Sequence, residues 1–177
     1  MNLGLGPDPG HRVNLIQGEC RVSSEGSLIF TTVLGSCVSA CIHDPTIGAG
    51  GMNHFLLPDG GSSEVASLRY GAYAMELLIN GLLGLGARRE TLRAKLFGGA
   101  RLSPGLIDIG ANNTTFARDY LRREGIRYSG GSTGGIYARK IQFWPGSGRV
   151  RQAFLPRAAE PDRPPVRIDY GGDLELF

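Results

Sequence analysis

The sequence predicts an α+β domain in which mixed β-sheets pack with flanking helices, and three observations carry that prediction. Short apolar-alternating stretches outnumber helical ones, 28 glycines supply frequent tight turns, and two amphipathic segments interrupt the strands without a regular βαβ rhythm. The chain has 177 residues, 41% hydrophobic and 20% charged, which suits one soluble domain burying roughly two thirds of its unfolded surface.

Taken in order, residues 1–12 read as a leader rich in proline and glycine, and 13–155 as the folded domain. "RVNLIQGECRVS" and "LIFTTVL" alternate around the polar link "SEGS" and predict a hairpin. "VSACIHD" and "GMNHFLL" are short strands parted by "PTIGAG", whose proline and glycines break regular structure. From Ser67 to Leu83, the spacing of Met75, Leu78, Ile79 and Leu82 predicts one helical face, which Gly84 and Gly86 can end. "RAKLFGGA" predicts a buried strand running into a glycine turn. A second helix is expected over Thr114–Glu124, capped by Asn113, with Phe116, Tyr120 and Leu121 on its apolar face and Gly125 as its stop. "IYARKIQFW" and "RVRQAFL" make the last strands, and residues 156–177, rich in proline and charge, predict an extended tail.

The net charge of +3 is dispersed through segments such as "ARRETLRAK", so nucleic acid is not an expected partner. The N-terminus lacks the pattern of a signal peptide, and no run approaches the ~18 apolar residues of a membrane helix. A cytoplasmic monomer without membrane insertion is the expectation. Cys20, Cys37 and Cys41 are an odd number and are read as free thiols.

Two of those cysteines and two of the three histidines fall within residues 37–54, which leaves three readings open. As a metal site, Cys37, Cys41, His43 and His54 fail on spacing: four strand residues cover about 13 Å, too far for both sulfurs to reach one zinc. As packing, Cys41 inside its apolar run and Cys20 near the hairpin turn are small hydrophobes. His43 reads as a solvated turn residue, and His11 carries no signal. As chemistry, Cys37 follows Gly35-Ser36 at a strand end, where a sharp turn presents a side chain among backbone N–H groups. An ordinary thiol ionises near 8.5, so a nucleophilic Cys37 needs a partner, and His54 on the neighbouring strand is the candidate base.

"VLGSCVSACIHDP", "GGMNHFLLP", "RYGAYAMELLINGLLGLGA", "AKLFGGA" and "IGANNTTF", in this order, resemble the bacterial CheD family of chemoreceptor glutamine deamidases, from about Val13 to Leu155. The resemblance implies a cysteine-hydrolase fold like that of deamidating toxins and a cofactor-free amidohydrolase that converts glutamines of methyl-accepting chemotaxis receptors to glutamate. It also implies CheC-like phosphatase as a second partner, and hence an alternative role as a non-catalytic adaptor. The family nucleophile falls on Cys37, its histidine on His54 and its threonine on Thr31. Thr31 and Thr32 point to opposite faces of their strand, so only one can face the site. The chain departs from the family pattern at Asn112, where an arginine is expected, and at Ser132 and Ala138, where an aspartate and a glycine are expected.

Overall fold

The computed structural model describes residues 10–58, 63–102 and 108–156. The expected tail lies outside the described residues, apart from Pro156. Among the described residues, nine strands form two sheets. The strands are β1 (His11–Asn14), β2 (Cys20–Ser23), β3 (Leu28–Leu34), β4 (Val38–Asp44), β5 (Ala49–Asn53), β6 (Arg93–Gly98), β7 (Arg127–Thr133), β8 (Arg139–Trp144) and β9 (Arg149–Phe154). One sheet has the order β1-β3-β8-β9 and the other β2-β5-β4-β6-β7, each mixing parallel and antiparallel pairs. Helices α1 (Glu64–Gly84) and α2 (Ile109–Arg123) complete the α+β architecture.

Strand alternation assigns the two cores. On β4, Val38, Ala40 and Ile42 face the helices, joining Met75, Leu78, Ile79 and Leu82 of α1 and Phe116, Ala117 and Tyr120 of α2. The other face of β4 contributes Cys41 to a second core with Leu15, Phe30, Leu34, Phe97, Ile141 and Phe143 between the two sheets. Both helices therefore cover the outer face of the five-stranded sheet, and the four-stranded sheet covers its inner face.

The first expected hairpin is absent. "RVNLIQGECRVS" is two strands, not one, broken by a turn in which Gly18 takes φ +90°, a conformation that L side chains disfavour. β1 pairs in parallel with β3 in the smaller sheet, while β2 pairs antiparallel with β5 in the larger. Alternation marked both as strands but carried no information on partners, and β1 starts at His11, inside the expected leader. The helix α1 begins earlier than its apolar spacing suggested, because Ser63 caps it by accepting from Ala66 N. The helix α2 also begins a turn early: Asp108 is its N-cap, and Asn113 is a fully buried residue of its second turn. β7, made of "RYSGGST", went unseen because glycine and serine dilute its pattern. The last two strands do form an antiparallel pair.

A candidate active site at the seam between the sheets

β3 lies in one sheet and β4 in the other, so the chain changes layers at Gly35-Ser36-Cys37. The turn is clamped from outside. Ala100 N donates to Gly35 O, Asn113 Nδ2 to Ser36 O and Gly99 N to Cys37 O, at 2.8, 3.3 and 2.8 Å. Gly98, at φ +102°, is required here because a Cβ on it would sit 2.1 Å from the Cys37 carbonyl oxygen.

His54 follows β5 directly. Its backbone is gripped by the Gly18 turn, with His54 O accepting from Gly18 N (2.7 Å) and His54 N donating to Glu19 O (3.0 Å). Beside it, Val38 and Phe55 exchange two backbone hydrogen bonds of 2.9 Å, which fix the histidine alongside the start of β4. The result is a distance of 2.9 Å between His54 Nε2 and Cys37 Sγ.

The opposite ring nitrogen identifies the tautomer. Thr32 Oγ1 donates to Leu15 O at 2.7 Å and lies 2.9 Å from His54 Nδ1. A hydroxyl has one hydrogen, so toward the ring Oγ1 accepts, Nδ1 carries the proton, and the lone pair of Nε2 faces the thiol. The chain of donors runs from Cys37 Sγ to Nε2, and from Nδ1–H through Thr32 to the Leu15 carbonyl. This is the tautomer that a general base requires.

Burial sets the resting charge of the pair. It pushes the Cys37 thiol up, opposed by backbone hydrogen bonds at Gly35 and Cys37, and pulls His54 down, opposed by the Leu15 carbonyl. Both directions favour the neutral forms, a thiol beside an imidazole, over an ion pair. Cys20 and Cys41 are pushed up by burial to about 11 and about 12. Cys41 is packed between the sheets, and Cys20 is half-buried against the helix-side core.

Cys37 and His54, singled out from sequence, are brought together. Thr31 is not part of the group: it lies on the other face of β3, where its hydroxyl donates to Asn14 Oδ1 at 3.3 Å. The hydroxyl on the imidazole belongs to Thr32, because β3 turns its even-numbered side chains Phe30, Thr32 and Leu34 toward the space between the sheets. His43 is not a solvated turn residue either. It is half-buried in β4, with Nδ1 2.9 Å from Pro145 O. Sequence reasoning missed Asn113 as a site component, having assigned it to a helix cap; its position in the "IGANN" phrase was the available signal. Among the described residues, no three His, Cys, Asp or Glu side chains are placed to hold a metal ion.

Residues 56–153 match the family model described as CheD chemotactic sensory transduction. A protein of Caulobacter sp. (strain K31), named probable chemoreceptor glutamine deamidase CheD, is 54% identical over 177 residues, covering 96% of this chain and 94% of its own length. The chain belongs to the CheD family. A Rhizobium meliloti (strain 1021) protein of the same name is 51% identical, covering 95% of this chain and 97% of the relative. These whole-length matches take in the segment with Cys37 and His54, which the family model's matched residues leave out. Among solved structures, a hypothetical protein YfiH of Bacillus licheniformis aligns with a TM-score of 0.42 and 11% identity, over 66% of this chain and 51% of that one. No helix among the described residues is long and apolar enough to cross a membrane.

Proposed function

We propose that this protein deamidates glutamine side chains of methyl-accepting chemotaxis receptors, with Cys37 as nucleophile, His54 as acid and base, and Thr32 rather than Thr31 as the residue that orients the imidazole. The observation that carries this reading is the 2.9 Å approach of His54 Nε2 to Cys37 Sγ in the tautomer fixed by Thr32. The names borne by the relatives in Caulobacter and Rhizobium support the substrate class.

Nε2 takes the thiol proton as Sγ attacks the carboxamide carbon, and the carbonyl electron pair moves to oxygen. When the tetrahedral intermediate collapses, His54 returns the proton to the departing nitrogen and ammonia leaves a thioester. Water, deprotonated by His54, then adds to the thioester; Cys37 departs as thiolate, is reprotonated by His54, and glutamate is released. The imidazolium formed in each half-reaction is stabilised through Thr32 by the Leu15 carbonyl. All of these bonds are made by the chain's own groups and water, so the mechanism needs no cofactor.

Within this reading the protein works as a cytoplasmic monomer, its domain spanning about 13–155, with a CheC-like phosphatase as a second partner suggested by the family resemblance. The test is mass spectrometry of a chemoreceptor cytoplasmic fragment from the same organism, incubated with wild type or Cys37→Ala. Each conversion adds about one mass unit and releases one ammonia. Conversion by wild type alone is the expected result. No conversion by either, with a fragment shown to bind, replaces the enzyme with a non-catalytic adaptor.

A further inference from the structure

Asn113 is fully buried in α2, and both its Oδ1 and its Nδ2 reach partners beyond the helix. Its Oδ1 accepts from Leu57 N at 2.7 Å, three residues after His54. Its Nδ2 donates to Ile109 O at 2.8 Å within its own helix and to Ser36 O at 3.3 Å in the nucleophile turn. One amide thus holds the segment leaving the base and the turn presenting the nucleophile against a single helix.

The bond to Ser36 has a further effect through peptide geometry. A trans peptide is planar and carries its C=O and the following N–H in opposite directions. The structure contains no cis peptide bond among the described residues. With the Ser36 carbonyl turned toward α2, the N–H of Cys37 must point away from α2. That is the side on which Cys37 packs against the core between the sheets and meets His54. The carbonyls on either side are held as well, by Ala100 N and Gly99 N, so the peptide cannot flip without breaking a clamp.

We propose that Asn113 is a positioning residue for the deamidation, holding the Ser36–Cys37 peptide so that the Cys37 N–H meets the oxygen that becomes negative when Sγ adds to the carboxamide. The proposal rests on the deamidase reading above. The intermediate's charge appears on one oxygen, and a preorganised donor there lowers the barrier without having to reorient during the reaction. Asn113 touches no reacting atom and acts only through the peptide that it fixes.

Asn113→Asp is the informative variant. It keeps an acceptor for Leu57 N but replaces the donor with an oxygen facing the carbonyls of Ser36 and Ile109. On a receptor fragment, kcat is expected to fall about 10- to 100-fold, below the ~10²–10³ seen when an oxyanion donor is removed outright, with KM within about threefold. Alkylation of Cys37 by iodoacetamide forms an S–C bond as iodide leaves and puts no charge on an oxygen, so its rate should change less than about twofold. Asn112→Ala, on the exposed side of α2, serves as the control and should match wild type in both assays. Turnover of Asn113→Asp within threefold of wild type overturns the proposal. So does a parallel loss of alkylation and turnover, which would mean that Asn113 merely supports the fold around the thiol.

A second measurement uses the wild type and so needs neither a stable variant nor turnover. Butanal adds the Cys37 thiol across its carbonyl, Sγ bonding to carbon and the thiol proton passing to oxygen, which gives a hemithioacetal with oxygen at the position in question. The Cys37 amide proton should move downfield in the NMR spectrum of this adduct. An unmoved Cys37 amide overturns the inference even if receptor glutamines are converted, whereas a moved amide with no conversion overturns the deamidase reading alone.

Discussion

The Thr32 hydroxyl lies 2.9 Å from His54 Nδ1 while it donates to the Leu15 carbonyl, and this fixes which face of the imidazole is basic. Thr32→Val removes the hydroxyl at nearly constant volume. Hydrogen bonds to charged groups are worth ~1.5–3 kcal/mol, so kcat on a receptor fragment should fall about 10- to 100-fold. Thr31→Val removes only a contact to Asn14 on the opposite face and should leave kcat within about twofold. Equal losses in steady-state assays of the two variants would remove Thr32 from the mechanism.

The three cysteines should separate in reactivity. Cys41 is enclosed and Cys20 half-buried, each with its thiol pushed far up by burial, whereas Cys37 has a base at 2.9 Å. Iodoacetamide near neutral pH, followed by peptide mapping, should label Cys37 first. His54→Ala should slow that labelling and leave the other two unchanged. Uniform labelling of all three thiols would contradict activation by His54.

Acid should weaken both activity and stability through His54. Burial holds its folded-state pKa below the ordinary 6.5, so between the two values the unfolded chain binds more protons. The stabilisation is complete above the unfolded value and is lost as pH falls through the folded one. Turnover should follow the same limb, since only neutral Nε2 can accept the thiol proton. A His54→Gln variant whose melting temperature keeps the wild-type slope from pH 7 to 5 would refute the assignment.

Asp44 provides a second, more acidic window. Burial opposes its ionisation, but Thr46 Oγ1 and N, Thr91 Oγ1 and Arg88 N all donate to it, and together they hold the carboxyl at about 2. The depressed value stabilises the fold above the unfolded value of 3.8 and is lost as pH falls through about 2. The shift is worth on the order of 2 kcal/mol. Asp44→Asn should lower stability by about that amount at pH 7 in denaturant titrations and flatten the pH dependence below 4.

Arg139 is a buried cation held by neutral groups. Its guanidinium donates to the carbonyls of Ser132, Gly134 and Tyr137 and to Ser132 Oγ, and Phe154 lies over it at 5.2 Å, while Nε has no partner. Ser132 is the position where the family pattern leads one to expect an aspartate. Ser132→Asp should therefore supply a counter-ion and raise the melting temperature, with a gain of about 1.5–3 kcal/mol, the range for a hydrogen bond to a charged group. A lower melting temperature would show that the carbonyl cage already satisfies the cation.

Much of this arrangement was legible in residue order, and the exceptions share a cause. β4 and the pair β8–β9 were evident because apolar alternation is local, and Cys37 and His54 stood out through the turn before one and the strand next to the other. Pairing is not local: nothing in "RVNLIQGECRVS" tells β1 and β2 that they belong to different sheets. The choice between Thr31 and Thr32 is of the same kind, since adjacent threonines are equivalent until the side of β3 that faces the other sheet is known. Asn113 was misread because a buried asparagine inside a helix looks, in sequence, like a cap.

The clamps on Gly35, Ser36 and Cys37 come from Ala100, Asn113 and Gly99, whereas Leu15, Thr32, Cys37 and His54, which the proposed mechanism uses, precede them in the chain. During synthesis the reagents therefore emerge from the ribosome well before the parts that arm them. A nascent chain has its thiol and imidazole well before the residues that hold the turn between them, so on the deamidase reading the site takes its geometry only after the chain has passed Asn113.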